Sequence, residues 1–174
     1  MALRFGHRSS IDLDLFYHKE FDQIQIINEL EYTFKHQFVY KQQNTKFGIF
    51  CFIDEIKVDI VHFPHPPISE FINEDQIRMY SSADIAAMKI QAILGRAKKK
   101  DFWDLYELLL HYPLQQLIDW HKQKYPSQML AISIPHAISY FADAEESETP
   151  VSFKNQTWEQ IKKGISKAVS DYLR

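Results

Sequence analysis

The chain has 174 residues, 45% of them apolar and 14% aromatic, with a net charge of −3. That composition supplies a packed core and excludes global disorder, and it carries no basic excess of the kind that marks a nucleic-acid binder. A lone cysteine, Cys51, excludes an internal disulfide and fits a reducing compartment.

Residues 1–8 can form one or two helical turns. A strand is expected over 10–17. Side chains alternate across a strand, so Asp12 and Asp14 point one way while Ile11, Leu13 and Leu15 point the other. Aspartate is poorly suited to strands. Two neighbouring carboxylates repel unless a cation sits between them, so the pair suggests a divalent-metal site. Residues 21–35 place Phe21, Ile24, Ile27, Leu30 and Phe34 at helical spacing. Strands follow at 37–42, 46–53 and 56–63, with Asn44 and the Asp54-Glu55 pair marking tight connections and antiparallel pairing. Cys51, inside the second of these, reads as a buried, inert thiol.

Prolines at 64, 66 and 67 break the pattern, and a short extended piece at 76–80 is expected to return to the sheet. Ser82 can cap a helix over 82–94 that stops at Gly95. Further helices are expected at 101–111, 113–124 and 127–143, then an exposed linker at 144–150. A last helix at 157–173 has Thr157 and Gln160 as a capping box. The fold class is α+β: a mixed sheet flanked by helices over 1–80, then a helical region over 81–174. The four glycines are scattered, which excludes a glycine-rich phosphate loop. No apolar run reaches the roughly 18 residues that cross a bilayer, and the N-terminus lacks a signal-peptide core. A cytoplasmic protein is expected.

A third acid, Asp59, stands mid-strand between core-facing Val58 and Ile60. If its strand adjoins 10–17, three carboxylates converge, and hard oxygen donors of this kind suit one or two Mg²⁺ ions. The bland alternative is three solvent-facing acids on a half-exposed sheet. His62 and His65 lack zinc-like companions.

This constellation resembles the nucleotidyltransferase superfamily related to DNA polymerase beta, which pairs an Asp-x-Asp strand with a later single acid. Ala2-Leu3-Arg4-Phe5-Gly6-His7-Arg8-Ser9-Ser10-Ile11-Asp12-Leu13-Asp14-Leu15-Phe16 is similar to the first motif of the AbiEii/AbiGii toxin family. Lys89-Ile90-Gln91-Ala92-Ile93, then Arg96 and Lys100-Asp101-Phe102-Trp103-Asp104-Leu105-Tyr106, is similar to its later motif. The resemblance implies a nucleotidyltransferase-like sheet and transfer of a nucleotidyl group from a nucleoside triphosphate to an acceptor hydroxyl. It implies Mg²⁺ or Mn²⁺ held by Asp12, Asp14 and Asp59, with Asp59 as candidate base. It also implies Lys89 on the nucleotide phosphates, and Ser10, Arg96, Asp101 and Asp104 in the substrate pocket. An RNA acceptor such as tRNA and a cognate antitoxin are the partners implied.

Other readings of the same residues stay open. Lys89 can be a solvated helix charge, and Asp101 a helix cap. The run 96–100 can grip phosphates or be a solvated loop. In the family, a strand ending in Gly-Gly or Gly-Ser precedes the first helix, and Met1 lies beyond where that turn should be. Either the true start is further upstream, or the chain is a shortened member that binds a nucleotide or a protein without chemistry.

Overall fold

The computed structural model describes residues 1–41 and 46–174. Asn44 and the end of the expected strand 37–42 lie outside the described residues. In chain order the elements are α1 (Ala2–Phe5), β1 (Asp12–Tyr17), α2 (Gln23–Phe34), β2 (Phe38–Tyr40), β3 (Gly48–Ile53), β4 (Ile56–His62), β5 (Ile72–Glu74), β6 (Ile77–Met79), α3 (Ser82–Gly95), α4 (Lys99–Leu109), α5 (Leu114–Lys124), α6 (Ile134–Ser139) and α7 (Trp158–Tyr172). The chain is a mixed α/β protein that divides into two compact units. One is Ser10–Pro66; the other is Met1–Ser9 with Pro67–Arg174. The first nine residues therefore group with the helices, and the division near Pro66 falls earlier than the expected one after residue 80.

The sheet unit has strand order β1-β4-β3-β2. β2, β3 and β4 form an antiparallel meander, and β1 adds to β4 in parallel. Asp54 and Glu55 both adopt positive φ between β3 and β4, the conformation that a two-residue hairpin requires. Asp22 caps α2, accepting from the amides of Ile24 and Gln25. Ile26, Ile27, Leu30 and Phe34 of α2 pack on Phe38, Ile49, Cys51 and Val58. Ile24 departs from the expected apolar stripe and is 72% exposed. α2 lies over β2 and β3. β1 is the far edge strand, so Leu13 and Leu15 stay about half exposed. Gly48 opens β3 where the backbone of β4 lies close by. A Cβ there would lie 2.2 Å from the Ile60 carbonyl oxygen.

The helical unit corrects several expectations. The extended piece at 76–80 pairs with 72–74 in a separate two-stranded sheet and does not join the main one. α3 is capped by Ser81, one residue before the expected cap. The helix expected over 127–143 shrinks to α6. Pro135 lacks an amide hydrogen and would clash with the turn before it, so it is tolerated only at the helix start, where Ser133 supplies the cap. The segment 144–150 is tied down. Ala144 is fully buried, and Ser147 Oγ accepts from the Lys99 amide and donates to the Ala144 carbonyl. α7 carries the expected capping box at Thr157 and Gln160.

The unit's core joins α3, α4, α5, α6 and α7 around Ile90, Phe102, Leu105, Leu108, Leu117 and Ile161. Trp103 of α4 stacks on Trp158 of α7 at 5.6 Å. A buried Lys124–Asp84 pair, with Ser81 and the Ile68 amide on the same carboxylate, pins the chain after Pro67 to α3 and α5. Among the described residues no helix is long and apolar enough to cross a membrane.

Candidate functional site

In the sheet unit, parallel pairing sets Asp14 opposite Asp59 and Asp12 opposite Lys57. Register partners on adjacent strands project to the same side. Val58 therefore turns to the core, while Asp12, Asp14, Lys57 and Asp59 share the other face. Strands lie about 4.8 Å apart, so Asp14 and Asp59 are cross-strand neighbours. The three predicted metal ligands lie on one face of two neighbouring strands. Ser10 is exposed just before β1, its Oγ 3.4 Å from the Asp12 carbonyl.

The face already holds a cation. Lys57 Nζ donates to Asp59 Oδ2 at 2.5 Å. Burial pulls the Lys57 ammonium down, but the hydrogen bond to Asp59 and the charges of Asp59, Asp12 and Asp14 outweigh it and raise its pKa. The other oxygen, Asp59 Oδ1, is buried with no hydrogen-bond partner among the described residues. Among the described residues no three acidic, histidine or cysteine groups close up tightly enough to hold a metal. The donor chemistry nonetheless fits Mg²⁺: three hard carboxylates on one face, one of them with an orphaned buried oxygen.

In the helical unit a second charge cluster gathers the remaining predicted residues apart from Ser10. Asp101 and Asp104 lie one turn apart on α4 and are both fully buried. Asp104 accepts from Arg8 Nε at 2.7 Å, Arg8 Nη2 at 2.8 Å and His7 Nε2 at 2.7 Å, and Lys89 Nζ lies at 2.7 Å. Asp101 accepts from both Arg96 Nε and Nη2 at 3.0 Å, with Lys89 at 3.4 Å. The turn that allows this runs through Ala97 at φ 43°, folding α4 back against α3.

Asp101 is therefore an ion-pair partner, and no side chain caps α4. Burial would raise both carboxyls. Lys89, His7 and Arg8 hold Asp104 far below the usual carboxylate range, and Arg96 and Lys89 hold Asp101 below it too. Arg8, Lys89 and Arg96 outnumber the two carboxylates by one charge. Lys89 keeps 19% of its side chain exposed and Arg96 51%. Asp101 and Asp104 have no exposed surface.

A family model described as the nucleotidyl transferase AbiEii toxin of type IV toxin–antitoxin systems matches residues 1–172. The chain belongs to the AbiEii nucleotidyltransferase toxin family. An uncharacterized protein of Aquifex aeolicus is 30% identical over 179 residues, covering 99% of this chain and 84% of its own. Two Helicobacter pylori crystal structures share the fold. One, JHP933, has a TM-score of 0.54 at 16% identity, over 94% of this chain and 75% of that one. The other, named as a candidate nucleotidyltransferase, has a TM-score of 0.56 at 17% identity, over 99% and 86%.

Three residues in the two charge clusters of this AbiEii-family protein escaped the sequence reading. His7 and Arg8 stand inside the first motif, yet nothing in their spacing names Asp104 as their partner. Lys57 had a readable signal. It is two residues before Asp59, so strand alternation alone puts it on the acid face.

Proposed function

We propose that this protein transfers a nucleotidyl group from a nucleoside triphosphate to a hydroxyl of an RNA acceptor, such as tRNA, in the cytoplasm. It acts as the toxin of a toxin–antitoxin pair, restrained by a cognate antitoxin. Asp12, Asp14 and Asp59 hold Mg²⁺ or Mn²⁺, and Asp59 takes the proton of the acceptor hydroxyl. The metal, when bound, lowers the pKa of the attacking hydroxyl and neutralises charge on the leaving pyrophosphate. Lys89 and Arg96 contact the phosphates through their accessible surface, while Asp101 and Asp104 hold those cations in place. Ser10 lies beside the metal ligands as a substrate contact.

The observation carrying this reading is the register that seats Asp14 opposite Asp59 with Asp12 on the same face. A second reading, a nucleotide- or protein-binding module without chemistry, draws on the Lys57–Asp59 pair that already neutralises the third acid. Purified protein incubated with labelled nucleoside triphosphates, Mg²⁺ and total RNA separates them. Transfer of label to RNA that disappears in Asp14→Ala is the expected result. No transfer by the wild type, or equal transfer by Asp14→Ala, refutes the enzymatic reading.

A further inference from the structure

We propose that Lys57 is a resident counter-ion of the acid face: its ammonium holds the position a divalent metal takes, and the metal binds by displacing it. The inference rests on the metal-site reading above and adds a residue to it.

Four observations converge. Lys57 is the register partner of Asp12 and lies two residues from Asp59, so one strand face carries all four charges. Its Nζ sits on Asp59 Oδ2 at 2.5 Å, within the field of Asp12 and Asp14. The second Asp59 oxygen is buried and makes no hydrogen bond among the described residues, so it has acceptor capacity to offer a cation. Among the described residues no three ligating groups have closed on a common point. The third and fourth follow from the first two. A monovalent ammonium satisfies one carboxylate oxygen and leaves the rest of the set unassembled. A divalent ion carries twice the charge and takes several oxygens at once.

Displacement is open to this side chain. Lys57 is 41% exposed on a flexible four-carbon stem, whereas the Asp59 side chain is only 15% exposed. The lysine can swing into water while the carboxylate remains. In the metal-free protein Lys57 relieves repulsion among three carboxylates. In the metal-bound protein it is a competitor removed.

The test is Mn²⁺ binding to the full chain, followed by the electron paramagnetic resonance of free Mn²⁺. Lys57→Met removes the competitor at similar volume, and Mn²⁺ should bind roughly tenfold tighter or more. Lys57→Arg keeps the charge and should bind within a few-fold of wild type. Far-UV circular dichroism of the metal-free variants confirms folding, and added Mn²⁺ should raise the thermal midpoint of Lys57→Met more than that of wild type. If Lys57→Met and wild type bind Mn²⁺ equally, and Asp14→Asn binds none, the metal site stands and the role of Lys57 is refuted. If neither wild type nor Lys57→Met binds Mn²⁺, both readings fall. Weaker binding by Lys57→Met would make Lys57 a support of the site and would equally overturn the proposal.

Discussion

Asp104→Asn is the most informative single change in the helical unit. The carboxylate has no exposure and accepts both forks of Arg8 and His7 Nε2, with Lys89 Nζ at 2.7 Å. Asparagine keeps the shape and removes the charge. Lys89 can fall back on Asp101 at 3.4 Å. Arg8 has no second carboxylate to turn to: its side chain is 8% exposed and its guanidinium stays charged. The cost is that of one buried charge stripped of its partner, about 3–5 kcal/mol. With urea m-values of about 1–3 kcal/mol per molar, the unfolding midpoint should fall by at least about 1 M. The deficit should also depend on pH. A carboxyl whose folded pKa is depressed gives stability above its unfolded value, near 4, and surrenders it as pH falls below that. The gap between wild type and variant should therefore be full at pH 7 and shrink below about pH 4. A loss under ~1 kcal/mol at pH 7, or a gap that widens in acid, would refute the account of Asp104 as the anchor of a buried ion cluster.

Two further changes probe other parts of the structure. His121 is nearly buried, bonded to Gln91 and covered by Tyr125, and burial pushes its pKa down to about 4. The unfolded chain therefore takes up the proton first, near 6.5. His121 should cost stability as pH falls from 6.5 towards 4, by at most about 1.4 kcal/mol per pH unit. His121→Phe should flatten the pH–stability curve in that window, and an unchanged slope in urea titrations would count against this. Gly48→Ala forces a Cβ onto the Ile60 carbonyl at 2.2 Å and the Val61 Cα at 3.0 Å, backbone that cannot step aside. About 1–3 kcal/mol or more should be lost from the sheet unit, and a neutral urea midpoint would show that β3 and β4 are not so closely paired.

The fold was legible where local signals act alone. The 3.6-residue period of α2 and the Thr157–Gln160 capping box need nothing beyond neighbouring residues, and both appear where the spacing puts them. The errors occur where a local signal is overridden. An apolar run at 127–143 looks helical until Pro135 is weighed, since that residue can only stand at a helix start. The Glu-, Ser- and Thr-rich stretch 144–150 looks like a linker by composition. Lys99 and Trp158, distant in sequence, supply the bonds that fasten it. Strand 76–80 was expected in the main sheet because its tendency to extend is local, whereas the choice of partner strand is not.

The charged residues divide along the same line. Alternation places Asp12 and Asp14 together and turns Asp59 away from Val58, but no rule of spacing pairs β1 with β4. That pairing was an expectation of family resemblance, and the register now supplies it as geometry. The same alternation shows what a search for acids overlooks. Any strand that turns Asp59 outward must turn Lys57 outward too, and in this register it stands beside Asp12. Three carboxylates with no cation among them would repel across strands about 4.8 Å apart. At the proposed metal site, a positive charge of the protein's own would relieve that repulsion before a metal binds, provided the charge can leave. A partly exposed lysine on a flexible stem meets both conditions. An arginine, which binds carboxylates through two parallel bonds, would be harder to dislodge.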